Sequence, residues 1–159
     1  MHTVDTIAIA STPEVVYRLA ADVERWPSIL PPYRYVRVLE RQGPNECIVE
    51  MGAKRDWIPV WWRSQMYCYP DERRIVYKHI AGATTGMDVE WTIMSTGGVT
   101  RARITHDIDL NWPLVGQLAA WVMCDTFVSY VASRTLRGVA AAAEQRATSG
   151  DTALAHSSM

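Results

Sequence analysis

The sequence predicts an α+β fold in which a curved, seven-stranded antiparallel sheet wraps around one long C-terminal helix, with two short helices near the N-terminus. Two observations predict the sheet and one the helix. Segments of alternating apolar and polar residues follow one another from Tyr33 to Leu110, separated by tight turns. A further alternating segment, Thr3 to Ala10, precedes them. The chain then closes on a long stretch of helical apolar spacing, the one element large enough to cover the apolar face of such a sheet.

Thr3 to Ala10 reads V-D-T-I-A-I-A from Val4 onward and predicts the first strand. Ser11 or Thr12 caps a helix from Pro13 to about Ala21, with Pro13 at its first position and Glu14 at the positive end of its dipole. A second short helix is expected near Glu24 to Leu30, ended by Pro31-Pro32. Strands follow at Tyr33–Arg41 and Glu46–Met51, with Gly43-Pro44-Asn45 as the turn. Gly52 to Pro59, charged and holding Trp57, is expected to be a loop. The remaining strands are Val60–Tyr69, Arg73–Ile80, Met87–Met94 and Val99–Leu110, punctuated by Pro70-Asp71-Glu72, Thr85-Gly86 and Thr96-Gly97-Gly98. Asn111-Trp112-Pro113 starts the long helix, which is expected to reach about Arg146 with apolar spacing at Val122, Thr126, Tyr130 and Leu136. Residues 147–159 are small, polar and aperiodic and are expected to be a disordered tail, leaving 1–146 as one domain.

The 159 residues suit a single core. Sixteen basic against seventeen acidic side chains give no electrostatic reason to expect nucleic acid and no basic face for an anionic membrane. Cys47, Cys68 and Cys124 are far apart and lack zinc spacing, so they read as scattered thiols of a cytoplasmic protein. The first ten residues lack the basic start of a signal peptide. Leu114 to Ala132 is apolar enough to suggest a membrane span, but Gln117, Asp125 and Ser129 interrupt it, and a buried helix is expected. Seven Trp and seven Tyr stand against a single Phe; flat apolar rings with one polar handle suit the wall of an amphipathic pocket, and equally a core.

Strand parity sorts the candidates for chemistry. On Val99–Leu110, Ala102, Ile104, His106, Ile108 and Leu110 share a face that is apolar except for His106, so His106 is expected to face inward. It reads either as a satisfied core histidine or as an acid/base group available near neutral pH. Asp107 and Asp109 lie on the other face, so no metal site is expected. Trp91 shares an inward face with Met87, Val89 and Ile93. On Val60–Tyr69 parity is less decisive: the less polar face carries Trp62, Ser64, Met66 and Cys68 and is assigned inward, which sends Arg63 outward, while the opposite assignment brings Arg63 into the cavity and strengthens a cyclase reading. Tyr33 and Tyr35 share a face, where a phenol can donate to a ligand carbonyl. Val122, Thr126 and Tyr130 complete the expected cavity from the helix side. Phosphate-loop, nucleophile-elbow and metal motifs are absent from the sequence, and no cofactor is expected.

Several segments carry a family resemblance: I-A-S-T-P-E-V-V-Y at Ile9–Tyr17, D-V-E-R-W-P at Asp22–Pro27, P-D-E-R-R-I-V-Y at Pro70–Tyr77, G-M-D-V-E-W at Gly86–Trp91 and T-H-D at Thr105–Asp107. With the order of elements, they make the chain resemble the START and pollen-allergen-like helix-grip superfamily, and within it the bacterial polyketide cyclase/dehydrase proteins, over roughly Thr3 to Glu144. The resemblance to tetracenomycin-type aromatase/cyclases implies cavity roles for Trp26, Tyr33 and Trp91. The family's strand arginine has no counterpart: counted from Pro70-Asp71, its place falls on Cys68, and the family glutamine of the last strand is replaced by His106.

Two functions remain open at this point. One is a cofactor-independent aromatase/cyclase acting on a poly-β-ketone, with His106 as acid/base and Tyr33 polarising a carbonyl. The other is a non-catalytic carrier of a lipid, quinone or other hydrophobic molecule, which needs only the cavity and a few polar anchors. The expected partner in both is a hydrophobic or aromatic small molecule. An acyl carrier protein, a membrane surface or a second copy of the chain are further candidates.

Overall fold

The computed structural model describes the backbone of residues 1–108 and 117–156 and the side chains of residues 1–108 and 126–149. The elements run β1 (His2–Ile9), α1 (Pro13–Ala21), a 3-10 turn (Val23–Arg25), α2 (Trp26–Ile29), β2 (Tyr33–Gly43), β3 (Glu46–Arg55), β4 (Ile58–Tyr69), β5 (Arg74–Gly82), β6 (Met87–Thr96), β7 (Val99–Ile108) and α3 (Gln117–His156). This is the expected helix-grip architecture. The seven strands form one antiparallel sheet in the order β1-β7-β6-β5-β4-β3-β2. Because β1 joins β7 rather than β2, the segment holding α1 and α2 has to cross from one edge of the sheet to the other, and it closes one end of the interior.

The local chemistry places these elements. Thr12 caps α1 through its side chain, which accepts from the Val15 N–H at 3.4 Å, and Pro13 follows at the first helical position. Glu14 in the first turn pairs with Arg73 at 2.9 Å, pinning α1 to the β4–β5 turn. Trp26 Nε1–H donates to the Leu19 carbonyl at 3.1 Å, so α2 is tied back to α1 by a ring that is itself buried. Helix α3 lies across the concave face. Ala10 N–H donates to Glu144 there, and Gly138 lets the helix approach α2 so closely that a β-carbon on it would lie 2.3 Å from Leu30 Cδ2.

Three expectations on the elements are corrected. Gly52 to Pro59 is not a loop: β3 continues to Arg55 and β4 begins at Ile58, with Asp56 at positive φ in the tight turn between them. The ladder runs unbroken through Ala53 opposite Val60, Lys54 opposite Pro59 and Arg55 opposite Ile58, with Ala53 buried and Lys54 exposed, so the charged residues belong to a hairpin end. The second short helix is a 3-10 turn running into a four-residue α-helix, because Pro27 at the start of α2 interrupts the hydrogen-bond ladder. Helix α3 continues past Arg146 to His156, where the sequence suggests a disordered tail; Thr148 and Ser149 hydroxyls donate to the carbonyls of Glu144 and Gln145, so these polar residues fit a helix by bonding back one turn. The expected helix start at Asn111-Trp112-Pro113 and the end of the last strand at Asp109-Leu110 lie outside the described residues. Among the described residues no helix is long and apolar enough to cross a membrane.

Candidate functional site

The concave face of the sheet, α2 and α3 surround a cavity. Its walls are Trp26 from α2, Tyr33 from β2, Met51 from β3, Trp62 from β4, and Tyr77 and His79 from β5. Thr84 of the β5–β6 turn, Met87, Val89 and Trp91 of β6, and Ile104 and His106 of β7 continue the lining. Phe127, Val128, Val131, Ala132 and Thr135 of α3 close it. Together with its open mouth the space measures about 530 Å³, but its free volume is only about 60 Å³, room for a few water molecules. No lining residue among those described is Asp, Glu, Lys or Arg. The interior is therefore neutral, which suits an uncharged ligand with carbonyl or hydroxyl groups and disfavours an anion.

The rings pack against one another in sequence. Trp26 meets Tyr33 edge-on at 5.0 Å and Trp91 at 5.9 Å; Tyr33 meets Trp62 at 6.2 Å; Trp62 meets Phe127 edge-on at 6.5 Å. These spacings are those of favourable aromatic pairs. They make the wall partly self-supporting and narrow the free space at the Phe127 side.

Two phenols and two imidazoles stand in this apolar setting, with the hydroxyls of Thr84 and Thr135 beside them. The Tyr33 hydroxyl pairs with Thr135 Oγ1 at 3.4 Å, while the Thr135 hydroxyl donates to the Val131 carbonyl at 2.6 Å. Burial pushes the Tyr33 phenol up to about 12, so it keeps its proton and can donate it. His106 is buried, and its Nδ1 pairs with Thr3 Oγ1 at 3.4 Å. Burial pushes its imidazole down to about 4, partly opposed by the Asp107 carboxylate. His79 Nδ1 pairs with Thr84 Oγ1 at 2.6 Å, and burial followed by the neighbouring His106 pushes its imidazole down to about 3. Both imidazoles are neutral at neutral pH. Each is held through Nδ1 by a threonine hydroxyl, which can donate or accept, so either ring can present Nε2 as acceptor or donor. The second phenol, Tyr77, is buried, and its hydroxyl has no hydrogen-bond partner among the described residues.

The structure brings together Trp26, Tyr33, Trp62, Trp91 and His106, all expected in the cavity from the sequence. It separates others. Ser64, Met66 and Cys68 do lie on the inward face of β4, but Met66 and Cys68 line a second cleft beneath α1 with Tyr17 and Cys47, and Ser64 is buried in the wall behind the lining. Parity identifies the face of a twelve-residue strand and not how far along it the cavity extends. Tyr35 is outside the cavity. A register shift between Tyr33 and Tyr35 breaks the alternation, and the Tyr35 ring covers Gly52 and lies under the Arg37 guanidinium at 4.8 Å. Thr126 is exposed, and Tyr130 lies between the guanidinium groups of Arg55 and Arg134 rather than in the cavity. The inward face of α3 is rotated by about one residue from the expected one. Val122 lies outside the described side chains. Arg63 points outward, as parity indicates, and pairs with Glu50 at 2.9 Å.

His79, Thr84, Tyr77 and Phe127 line the cavity beyond the residues expected from the sequence. Ile75, Tyr77 and His79 alternate with exposed Lys78 and half-buried Val76, so the parity argument used for β7 identifies the first three as inward. Phe127 carries no such signal, because its neighbours on the helix are apolar on several sides. Among the described residues no group of three or more His, Cys, Asp or Glu is gathered as a metal site.

A helix-grip sheet closed over a neutral, aromatic cavity defines a helix-grip protein with an internal cavity. The family model described as polyketide cyclase/dehydrase and lipid transport matches residues 9–131, and the chain belongs to that family. It is 34% identical over 88 residues to the granaticin polyketide synthase bifunctional cyclase/dehydratase of Streptomyces violaceoruber, covering 54% of this chain and 27% of that protein. It is 30% identical over 109 residues to the actinorhodin counterpart of Streptomyces coelicolor, covering 67% of this chain and 33% of that protein. The chain thus spans a third or less of the curated relatives it matches. The Zhui aromatase/cyclase of a Streptomyces species shares the fold at a TM-score of 0.84 and 23% identity, over 92% of this chain and 95% of that one. The di-domain ARO/CYC StfQ from the steffimycin biosynthetic pathway matches at 0.73 and 25% identity, over 92% of this chain and 51% of its own.

Proposed function

We propose that the protein binds a poly-β-ketone, or a related aromatic intermediate, in this cavity and promotes aldol cyclisation and dehydration. One observation carries the reading: a neutral imidazole, His106, and a protonated phenol, Tyr33, share an uncharged cavity walled by Trp26, Trp62 and Trp91. The family membership and the cyclase/dehydratase relatives support it.

The chemistry needs no cofactor. A methylene between two ketones is acidic, and His106 takes one of its protons through Nε2. The enolate carbon forms a bond to a distant carbonyl carbon in the same chain. Tyr33 donates a hydrogen bond to that carbonyl oxygen, and the proton held by His106 is returned to it. Loss of a second α-proton and of the new hydroxyl as water then leaves the ring double bond. Depressed basicity costs His106 strength as a base, but it makes the protonated ring a strong acid for hydroxyl departure. Orientation of one chain against itself can supply about 7–11 kcal/mol, and a positioned acid/base group typically about 10²–10⁴-fold. His79, held next to His106, is placed to share these transfers. An acyl carrier protein as the source of the chain and the cytoplasm as the compartment belong to this reading; the free thiols Cys47 and Cys68 fit a reducing compartment.

The test is turnover of a short poly-β-ketone mimic followed by mass spectrometry. Wild type is expected to yield a cyclised product lighter by one water, His106→Ala to lose about a hundredfold or more in kcat, and Tyr33→Phe to lose about tenfold. Unchanged turnover in His106→Ala rejects the acid/base role. A protein that binds the mimic and converts none of it is a carrier.

A further inference from the structure

We propose that the Tyr77 hydroxyl is a ligand-binding donor that takes an oxygen of the substrate in the cavity, giving the site a second oxygen anchor besides Tyr33. The class of ligand rests on the cyclase reading above; the choice of residue rests on its surroundings.

Tyr77 sits on β5, paired with Met66 of β4 and Val89 of β6, and its ring lines the cavity. The residue is 3% exposed, and its hydroxyl has no hydrogen-bond partner among the described residues. Buried hydroxyls are ordinarily paired, because an unmet one forfeits its hydration without replacement. The cavity's other polar handles are all paired: Tyr33 with Thr135, His79 with Thr84, His106 with Thr3. A phenylalanine would fill the same wall without the unmet donor. Burial raises the pKa of the Tyr77 hydroxyl well above the usual phenol value, so it is a donor at any working pH. Ser64 Oγ, fully buried on the neighbouring strand and cross-strand from His79, is likewise unpaired. The β4–β5 wall therefore carries two unmet hydroxyls.

A hydrocarbon in the cavity leaves the Tyr77 hydroxyl unmet. A chain with a carbonyl on alternate carbons brings an acceptor near Tyr77 whichever way it is threaded, so the residue favours oxygenated ligands over alkyl lipids.

The experiment compares Tyr77→Phe with wild type by tryptophan-fluorescence titration using two probes: acetyltetralone, a bicyclic β-diketone, and ethyltetralin, its hydrocarbon counterpart. The variant is expected to bind acetyltetralone about tenfold more weakly, about 1.4 kcal/mol, and ethyltetralin equally well. Its thermal midpoint without ligand is expected to rise by a few degrees, because the unmet donor is gone. Unchanged acetyltetralone affinity overturns the proposal. So does an equal loss for both probes, which would make Tyr77 a packing residue. Failure of the cyclase reading is seen separately, as wild type that discriminates between the probes and converts no poly-β-ketone mimic.

Discussion

The Trp62 indole lies nearly parallel to the His79 imidazole, with ring centroids 5.9 Å apart and planes 12° apart. Thr84 holds the same imidazole from the β5–β6 turn. Residues of β4, β5 and the β5–β6 turn thus converge on a ring that burial keeps neutral, and they tie the chemistry of the cavity to the stability of the fold.

That tie predicts a pH dependence. Above about pH 6.5 histidines are neutral in folded and unfolded chains alike. Below it the unfolded chain takes up protons that the folded chain resists down to about 4 at His106 and about 3 at His79. The unfolded state then binds more protons, so stability is full above pH 6.5 and falls as pH falls, by about 1.4 kcal/mol per pH unit for each ring. Urea unfolding between about pH 5 and 6.5, above most carboxylate titration, is expected to show this slope for wild type and about half of it for His79→Gln. The same slope in both proteins would show that His79 is not held neutral.

Phe127 narrows the cavity from α3. Phe127→Ala is expected to cost about 3 kcal/mol of stability, the lower end for a buried phenylalanine, because one side of the ring already borders free space. It is expected to improve binding of a three-ring aromatic ligand relative to a two-ring one, read by titration with both. A loss of affinity for both ligands would mean that the Trp62–Phe127 contact builds the site rather than restricting it.

Which parts of this site the sequence shows follows from the periods of its elements. The two-residue period of β6 and β7 is strict, so Trp91 and His106 are identified as inward from the sequence alone, whereas on β4 both faces carry a tryptophan and the inward place of Trp62 rests on which face is less polar; α1 is bounded by its own Thr12 cap and Pro13. Where the period breaks, the inference fails with it. The irregularity after Tyr33 turns Tyr35 outward. On α3 the run from Phe127 to Ala132 is apolar on several faces, so its pattern does not reveal which stripe meets the sheet, and an expected stripe through Thr126 and Tyr130 misses the actual one through Val128, Val131 and Thr135. Pairing across strands, which puts His79 beside Ser64 and near His106, is a property of register that no single segment carries.

Arg63 offers a direct check on the face assignment of β4. It pairs with Glu50 on the outer surface, 2.9 Å away, and a partly exposed pair of this kind is worth about 1 kcal/mol or less. Arg63→Gln is expected to change unfolding free energy by no more than that and to leave turnover of the poly-β-ketone mimic within about twofold. A large fall in kcat with unchanged stability would place the guanidinium in the reaction and reverse the assignment.

Gly82 and Gly86 flank the turn that carries Thr84, and they separate strain from collision. Both have positive φ, 92° and 87°. A β-carbon on Gly82 would lie 2.4 Å from the Trp61 carbonyl oxygen and 2.6 Å from Trp62 Cα, both backbone atoms that cannot swing away, whereas one on Gly86 would meet nothing within 4 Å. Gly86→Ala therefore costs only the conformational term, about 1 kcal/mol. Gly82→Ala adds displacement of β4 from β5 and is expected to cost about 3 kcal/mol or more. It is also expected to shift the Trp62 fluorescence and to weaken ligand binding, because Trp62 and His79 both move, while Gly86→Ala leaves binding unchanged. Equal thermal midpoints for the two variants would mean that β4 and β5 part at this end without cost, and the cavity wall would then be looser than its stacked rings indicate.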